Sequence, residues 1–104
     1  MSDEFWRLYK NVERWALSSE VNDLIRDDVK SLYEYVKSQV GSSIAETLFS
    51  RGLISGTLYD EIKDVERLLD NLDAIDLDMI KASLIRILEI LEQAYFSAVR
   101  VSKD

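Results

Sequence analysis

Few side chains in this chain are placed to do chemistry, and the first is Asp28. At 100° per residue it falls between Leu24 and Tyr35 on one side and Val21 and Leu32 on the other, inside an apolar arc. A carboxylate held there must find a partner or be driven toward its neutral form. It would serve either as a proton-transfer or ligand-binding acid, or as one half of a structural hydrogen bond or ion pair with an Arg or Tyr. Structural pairs perturb carboxylates as active sites do, and the structural reading is favoured. A second group, Asp70, Asp73, Asp76 and Asp78, crowds one turn. Such oxygens suit Ca²⁺ or Mg²⁺. An EF-hand loop, however, needs a glycine and a distal Glu, whereas Asp76-x-Asp78 runs into Met79-Ile80-Lys81. Asp is also the ordinary residue of helix caps and first turns, so no metal is expected.

A third candidate is Gly52-Leu-Ile-Ser-Gly56-Thr57, which precedes a helix whose free N–H groups could receive an anion. It lacks the Gly-Lys-Ser/Thr core of a phosphate-binding loop, and the next Lys is Lys63. The same stretch has helix-turn-helix spacing. Its reading helix would carry Asp60, Glu61, Asp64, Glu66 and Asp70 against Lys63 and Arg67, a poor match to DNA.

The chain has 104 residues and contains no Cys, His or Pro. Without Cys there are no disulfides, thiolate metal sites or Cys nucleophiles. Without His the commonest general acid/base and the usual zinc ligand are missing. No catalytic residue, cofactor or metal ligand is assigned, and the chain is expected not to be an enzyme. The net charge of −7 is unevenly spread: residues 60–78 hold eight acids against two bases. That surface repels phosphate backbones, and no basic run offsets it, so direct nucleic-acid binding is not expected. Apolar residues make up 47%, but no run reaches the roughly 18 uncharged apolar residues of a membrane span. The acidic start, Met-Ser-Asp-Glu-Phe-Trp, is unlike a signal peptide. These features point to one cytoplasmic domain over residues 1–104.

The periodicity that must position these residues is helical throughout. Ser2 can cap a first helix over about 3–17, with Phe5, Leu8, Tyr9, Val12, Trp15 and Ala16 on one face. Ser18-Ser19 interrupts the pattern, and a second helix over about 20–40 ends at Gly41, or the two are one helix bent at the serines. Ser43-x-x-Glu46 reads as a capping box for a short helix over 44–51, closed by Gly52 with Leu53 and Ile54 returning to the core. Thr57-x-x-Asp60 reads similarly for a helix over 58–72. Asp76 then caps the longest helix, 77–101. Short connections predict an all-α, compact antiparallel bundle of four main helices plus one short one. The last helix has an apolar arc from Leu77 to Val101 covering about half its circumference, wider than a surface helix needs. It must be the central post of the bundle or a wall of an interface.

Four residues fall outside their helix's apolar stripe. Trp6 lies nearest Glu13, Tyr59 is displaced from the Leu58–Ile62–Leu69 line, and Ile85 and Phe96 sit among Glu89, Glu92 and Lys103. Several such residues together make a patch, and aromatic residues are favoured anchors. Trp6, Tyr59, Ile85 and Phe96 are therefore the candidate partner-binding residues. The remaining charges, such as Arg86 and Glu89 at i,i+3, have the spacing of solvated helix faces. In size and helix count the chain resembles the helical nucleotide-binding HEPN proteins. Their ribonuclease members use an Arg followed a few residues later by His, and with no His here that chemistry does not carry over. The reading favoured is a non-enzymatic interaction module, an adaptor or accessory subunit that meets a protein partner or forms a homodimer through its last helix. The alternatives are a carboxylate-based binder of a small ligand or divalent ion, and an acidic accessory subunit of a nucleic-acid-processing complex.

Overall fold

The wide apolar arc of the last helix is used up inside the molecule. The computed structural model describes residues 3–102, with side chains through residue 99. Ser2, the expected first cap, and the side chain of Val101 lie outside the described residues. The chain folds as five α-helices: α1 (Asp3–Leu17), α2 (Leu24–Val40), α3 (Ile44–Ser50), α4 (Gly56–Asp70) and α5 (Leu77–Ser102). A 3-10 turn, Leu72–Ala74, precedes α5. α5 packs against each of the other four helices. Ile80, Leu84, Ile87, Leu88, Ile90, Leu91, Ala94, Tyr95 and Ala98 are all buried along it. A helix apolar over half its circumference is stable when neighbours cover that half, and α5 is the central post of an all-α bundle.

α1 runs antiparallel to α5, since Phe5 stacks on Tyr95 while Lys81 reaches Trp15 and Ser18. α2 runs back beside α1 and lies in the same direction as α5, with Arg26 near Ile75 and Tyr35 near Tyr95. The intervening α3–α4 hairpin makes that parallel pairing possible. Among the described residues no helix is long and apolar enough to cross a membrane.

Several local signals act differently from their sequence reading. Residues 18–23 are not helical, so α1 and α2 are separate helices, and α2 begins at Leu24 rather than near 20. Ser18 Oγ accepts from the Glu20 N–H and Asn22 Oδ1 from the Leu24 N–H, local bonds that compete with helix and hold the turn open. α4 starts at Gly56, capped by Ser55, whose Oγ accepts from the Leu58 N–H at 3.2 Å. Asp76 caps α5 as expected, accepting from the Asp78 N–H at 3.0 Å. After α3, Gly52 adopts φ +70° and the Leu53 N–H reaches back to the Leu48 carbonyl, the left-handed stop its glycine anticipated.

The Ser43–Glu46 box does not form. Ser43 makes no side-chain cap bond, and Glu46 instead accepts from the Tyr59 hydroxyl. Glu66, on α4, takes its place, accepting from the Ile44 and Ala45 N–H groups at 2.9 and 3.1 Å. A carboxylate at that position satisfies two orphan donors and opposes the helix dipole. Two cations do the converse elsewhere. Lys81 Nζ donates to the Trp15 and Ser18 carbonyls at the end of α1, and Arg26 donates to the Leu72 and Ile75 carbonyls around the 3-10 turn. Glu66→Ala should lose about 0.5–2 kcal/mol of stability, the range for a helix cap, with amide exchange fastest at Ile44 and Ala45. Unchanged protection there would show that α3 does not need the carboxylate.

Candidate partner-binding face

The face outside the core of the α1/α5 pair is built from two matched ridges. On α5, Ile85, Glu89, Glu92 and Phe96 follow one another at spacings of four, three and four residues. On α1, Trp6, Lys10, Glu13 and Leu17 repeat the same spacing. Such a 4-3-4 series keeps side chains on one strip of a helix. Because the helices are antiparallel, the Trp6 end of α1 meets the Phe96 end of α5, with ring centroids 5.7 Å apart. Phe5, buried beneath them, touches both rings edge-on at 5.1 and 5.7 Å. Lys81, bound at the end of α1, puts Leu17 and Ile85 at the opposite end of the same face.

Exposure follows this arrangement. Ile85 is 54% exposed and Leu17 79%, while Trp6 and Phe96 are half-buried with one side still open. A shallow depression of about 290 Å³ lies beside Phe96, lined also by Glu92, Gln93 and Ser97. Between the two apolar ends lie Glu13, Glu89 and Glu92. Among the described residues none of the three makes an ion pair, and the Arg86–Glu89 pair anticipated from spacing is not formed. All three carboxylates act on Tyr9, which lines the seam between the helices. Burial pushes the Tyr9 phenol up from its ordinary range, and the charges of Glu92, Glu13 and Glu89 push it the same way.

Three of the four candidate residues, Trp6, Ile85 and Phe96, therefore share one face. Tyr59 lies elsewhere, at the α3–α4 junction. Its ring packs on Phe49 at 4.8 Å, its hydroxyl donates to Glu46 at 2.8 Å, and Lys63 stands over it. The polar groups of that cluster are paired with one another, while the Phe49 ring stays 48% exposed. Leu17 and Glu13 were missed as parts of the face. Their signal was the repeated 4-3-4 spacing, which has meaning only once α1 and α5 are known to be neighbours.

Asp28 is half-buried, not enclosed. Val21 and Leu24, one from each flank of its arc in the sequence, are 46% and 56% exposed, so the buried side of α2 is narrower than the pattern implied. Asp28 accepts from the Trp15 indole N–H at 2.6 Å, tying α2 to α1. The cleft beside it, about 310 Å³, is lined by Asn11, Arg14, Trp15, Ser18, Glu20 and Asp28. Asp28 thus has a structural partner, although a tryptophan rather than the expected Arg or Tyr. Three of the four clustered aspartates are also engaged: Asp70 accepts from Tyr33, Asp73 pairs with Lys30 and Asp76 caps α5. Among the described residues no acidic group is arranged to hold a metal ion.

No protein-family model, curated protein or solved structure matches the chain.

Proposed function

We propose that this protein is a non-enzymatic interaction module that docks on another protein through the outer face of α1 and α5. The observation carrying this reading is the Trp6–Phe96 pair, which stays partly open to solvent although a buried aromatic core lies directly beneath it. Large aromatic rings held rigid from below and open above make efficient anchors, because little side-chain freedom is lost when a partner covers them. Ile85 and Leu17 extend the apolar surface along the same two helices. The broad arc of α5 takes no part, since the other helices fill it.

The test compares the parent chain with Ile85→Asp and Phe96→Asp as baits in extract of the source cell. Ile85→Asp should fold as the parent does, and circular dichroism checks both variants. A protein retained stoichiometrically by the parent and reduced about tenfold or more by each variant supports the proposal. Equal retention by all three folded chains, or no retained protein, overturns it. The cytoplasm is the compartment proposed for this encounter, given a chain without Cys.

A further inference from the structure

The two ridges have the same length and polarity. Trp6 to Leu17 and Ile85 to Phe96 each span eleven residues, about 16 Å at 1.5 Å per residue. Each ridge is apolar at both ends, and the carboxylates lie between: Glu13 on α1, Glu89 and Glu92 on α5. Lys10 is the single base on either ridge, leaving an excess of negative charge at the centre. Among the described residues the three acids are not neutralised by ion pairs.

We infer that the partner presents an amphipathic helix with two apolar anchors three turns apart and Lys or Arg between them. The inference rests on the docking reading above and adds the chemistry of the occupant. An eleven-residue interval on a partner helix returns its anchors to one face, in register with the two apolar ends. Basic residues four and seven positions after the first anchor then meet the carboxylates. Helix-in-groove recognition works through such i, i+4, i+7, i+11 series. Charge complementarity sets the register and suppresses wrong partners.

The same pattern disfavours a second copy of this chain as the occupant. In a twofold dimer built on this face the same patch is used by both subunits. At the middle of the patch acids outnumber the one base, Lys10, three to one, so any such arrangement sets two patches of the same net charge against each other. Like charges facing one another across an interface oppose association. Nucleic acid and anionic lipid are repelled by the same centre.

Synthetic helical peptides test this with the full chain. One probe carries two Leu anchors eleven positions apart with Arg at the fourth and seventh positions after the first anchor. A second replaces both Arg with Glu. The Arg probe should bind the parent, and the Glu probe about tenfold or more weakly at low salt. Glu92→Lys should weaken the Arg probe to a similar degree and strengthen the Glu probe, whereas Asp60→Lys, on α4, should change either less than about twofold. Phe96→Asp should abolish binding of both. If both probes bind the parent equally and Phe96→Asp removes both, the docking face stands and the basic partner is refuted. No binding of the Arg probe overturns the inference, as does an Asp60→Lys effect equal to that of Glu92→Lys. A parent dimer that Ile85→Asp dissociates also overturns it.

Discussion

Phe5→Ala should destabilise the fold by about 3–5 kcal/mol, the range for deleting a fully buried aromatic side chain. That is a large share of the roughly 5–15 kcal/mol that holds a domain of this kind together. Phe5 has no exposed surface, and its ring lies parallel to that of Tyr95 with centroids 4.2 Å apart. It also meets Trp6 and Phe96 edge-on, so one side chain joins the start of α1 to the end of α5. Removing it leaves a cavity that the rigid rings around it cannot fill by small shifts, because each is already held by its own neighbours. Urea unfolding followed by circular dichroism measures the loss. A cost below about 1.5 kcal/mol would mean that the aromatic cluster collapses onto the gap and is softer than its packing indicates. Trp6→Ala, at the half-buried edge of the same cluster, should cost clearly less while removing an anchor of the docking face. The pair of variants thus separates the part of the cluster that supports from the part that is offered to a partner.

The helices themselves could be read from the chain because their signals are local. Apolar residues recurring every three or four positions mark α1, α2, α4 and α5, and Gly41 and Gly52 mark two of the stops. The width of the α5 arc carried more than local information: a helix apolar over half its circumference belongs where several others meet, and α5 does touch all four. What could not be read were the contacts made at long sequence separation. The cap of α3 is Glu66, more than twenty residues away, and nothing in Ser43–Glu46 reveals that its own box stays empty. Lys81 at the end of α1 and Arg26 at the 3-10 turn are equally distant pairings. In each case a lone charged residue on a helix looked like a solvated one.

The candidate face divides along the same line. Trp6, Ile85 and Phe96 stand out as apolar residues off their stripe, which is a property of each helix alone. That the three converge, that Tyr59 does not, and that Leu17 belongs with them all depend on α1 lying antiparallel to α5. The acids between them were visible in the sequence only as ordinary surface charge. Their placement at the centre of two apolar-ended ridges is what turns them into a recognition feature. Asp28 shows the opposite error. Its apolar flanks, Val21 and Leu24, lie on the surface at the mouth of the α1–α2 turn, and the arc they defined is not the buried one.

The second large effect expected is a loss of stability at alkaline pH carried by Tyr33. This residue is 3% exposed, and its hydroxyl donates to Asp70 Oδ1 at 2.7 Å. Burial raises its phenol far above the ordinary range. The bond to Asp70, the charge of Asp70, and the charges of Glu66 and Glu34 add to that shift. In the unfolded chain the same phenol ionises near pH 10. The folded state therefore keeps a proton that the unfolded state releases, so stability is fully present below about pH 10 and falls as the pH rises above it. One such group contributes a slope of about 1.4 kcal/mol per pH unit over that window. Tyr9, also raised, adds to the fall in the same direction. Ionisations elsewhere in the chain fall in the same alkaline range, so the decisive quantity is a difference between two proteins. Tyr33→Phe removes the hydroxyl and keeps the ring. It should cost about 0.5–1.5 kcal/mol near neutrality, where the hydrogen bond is lost, and should unfold less steeply with pH above 10. The two stability curves should converge and then cross as the pH rises. Parallel curves from pH 8 to 11.5 would show that the Tyr33 phenol ionises in the folded protein as readily as in the unfolded chain, and that its bond to Asp70 does not hold the proton.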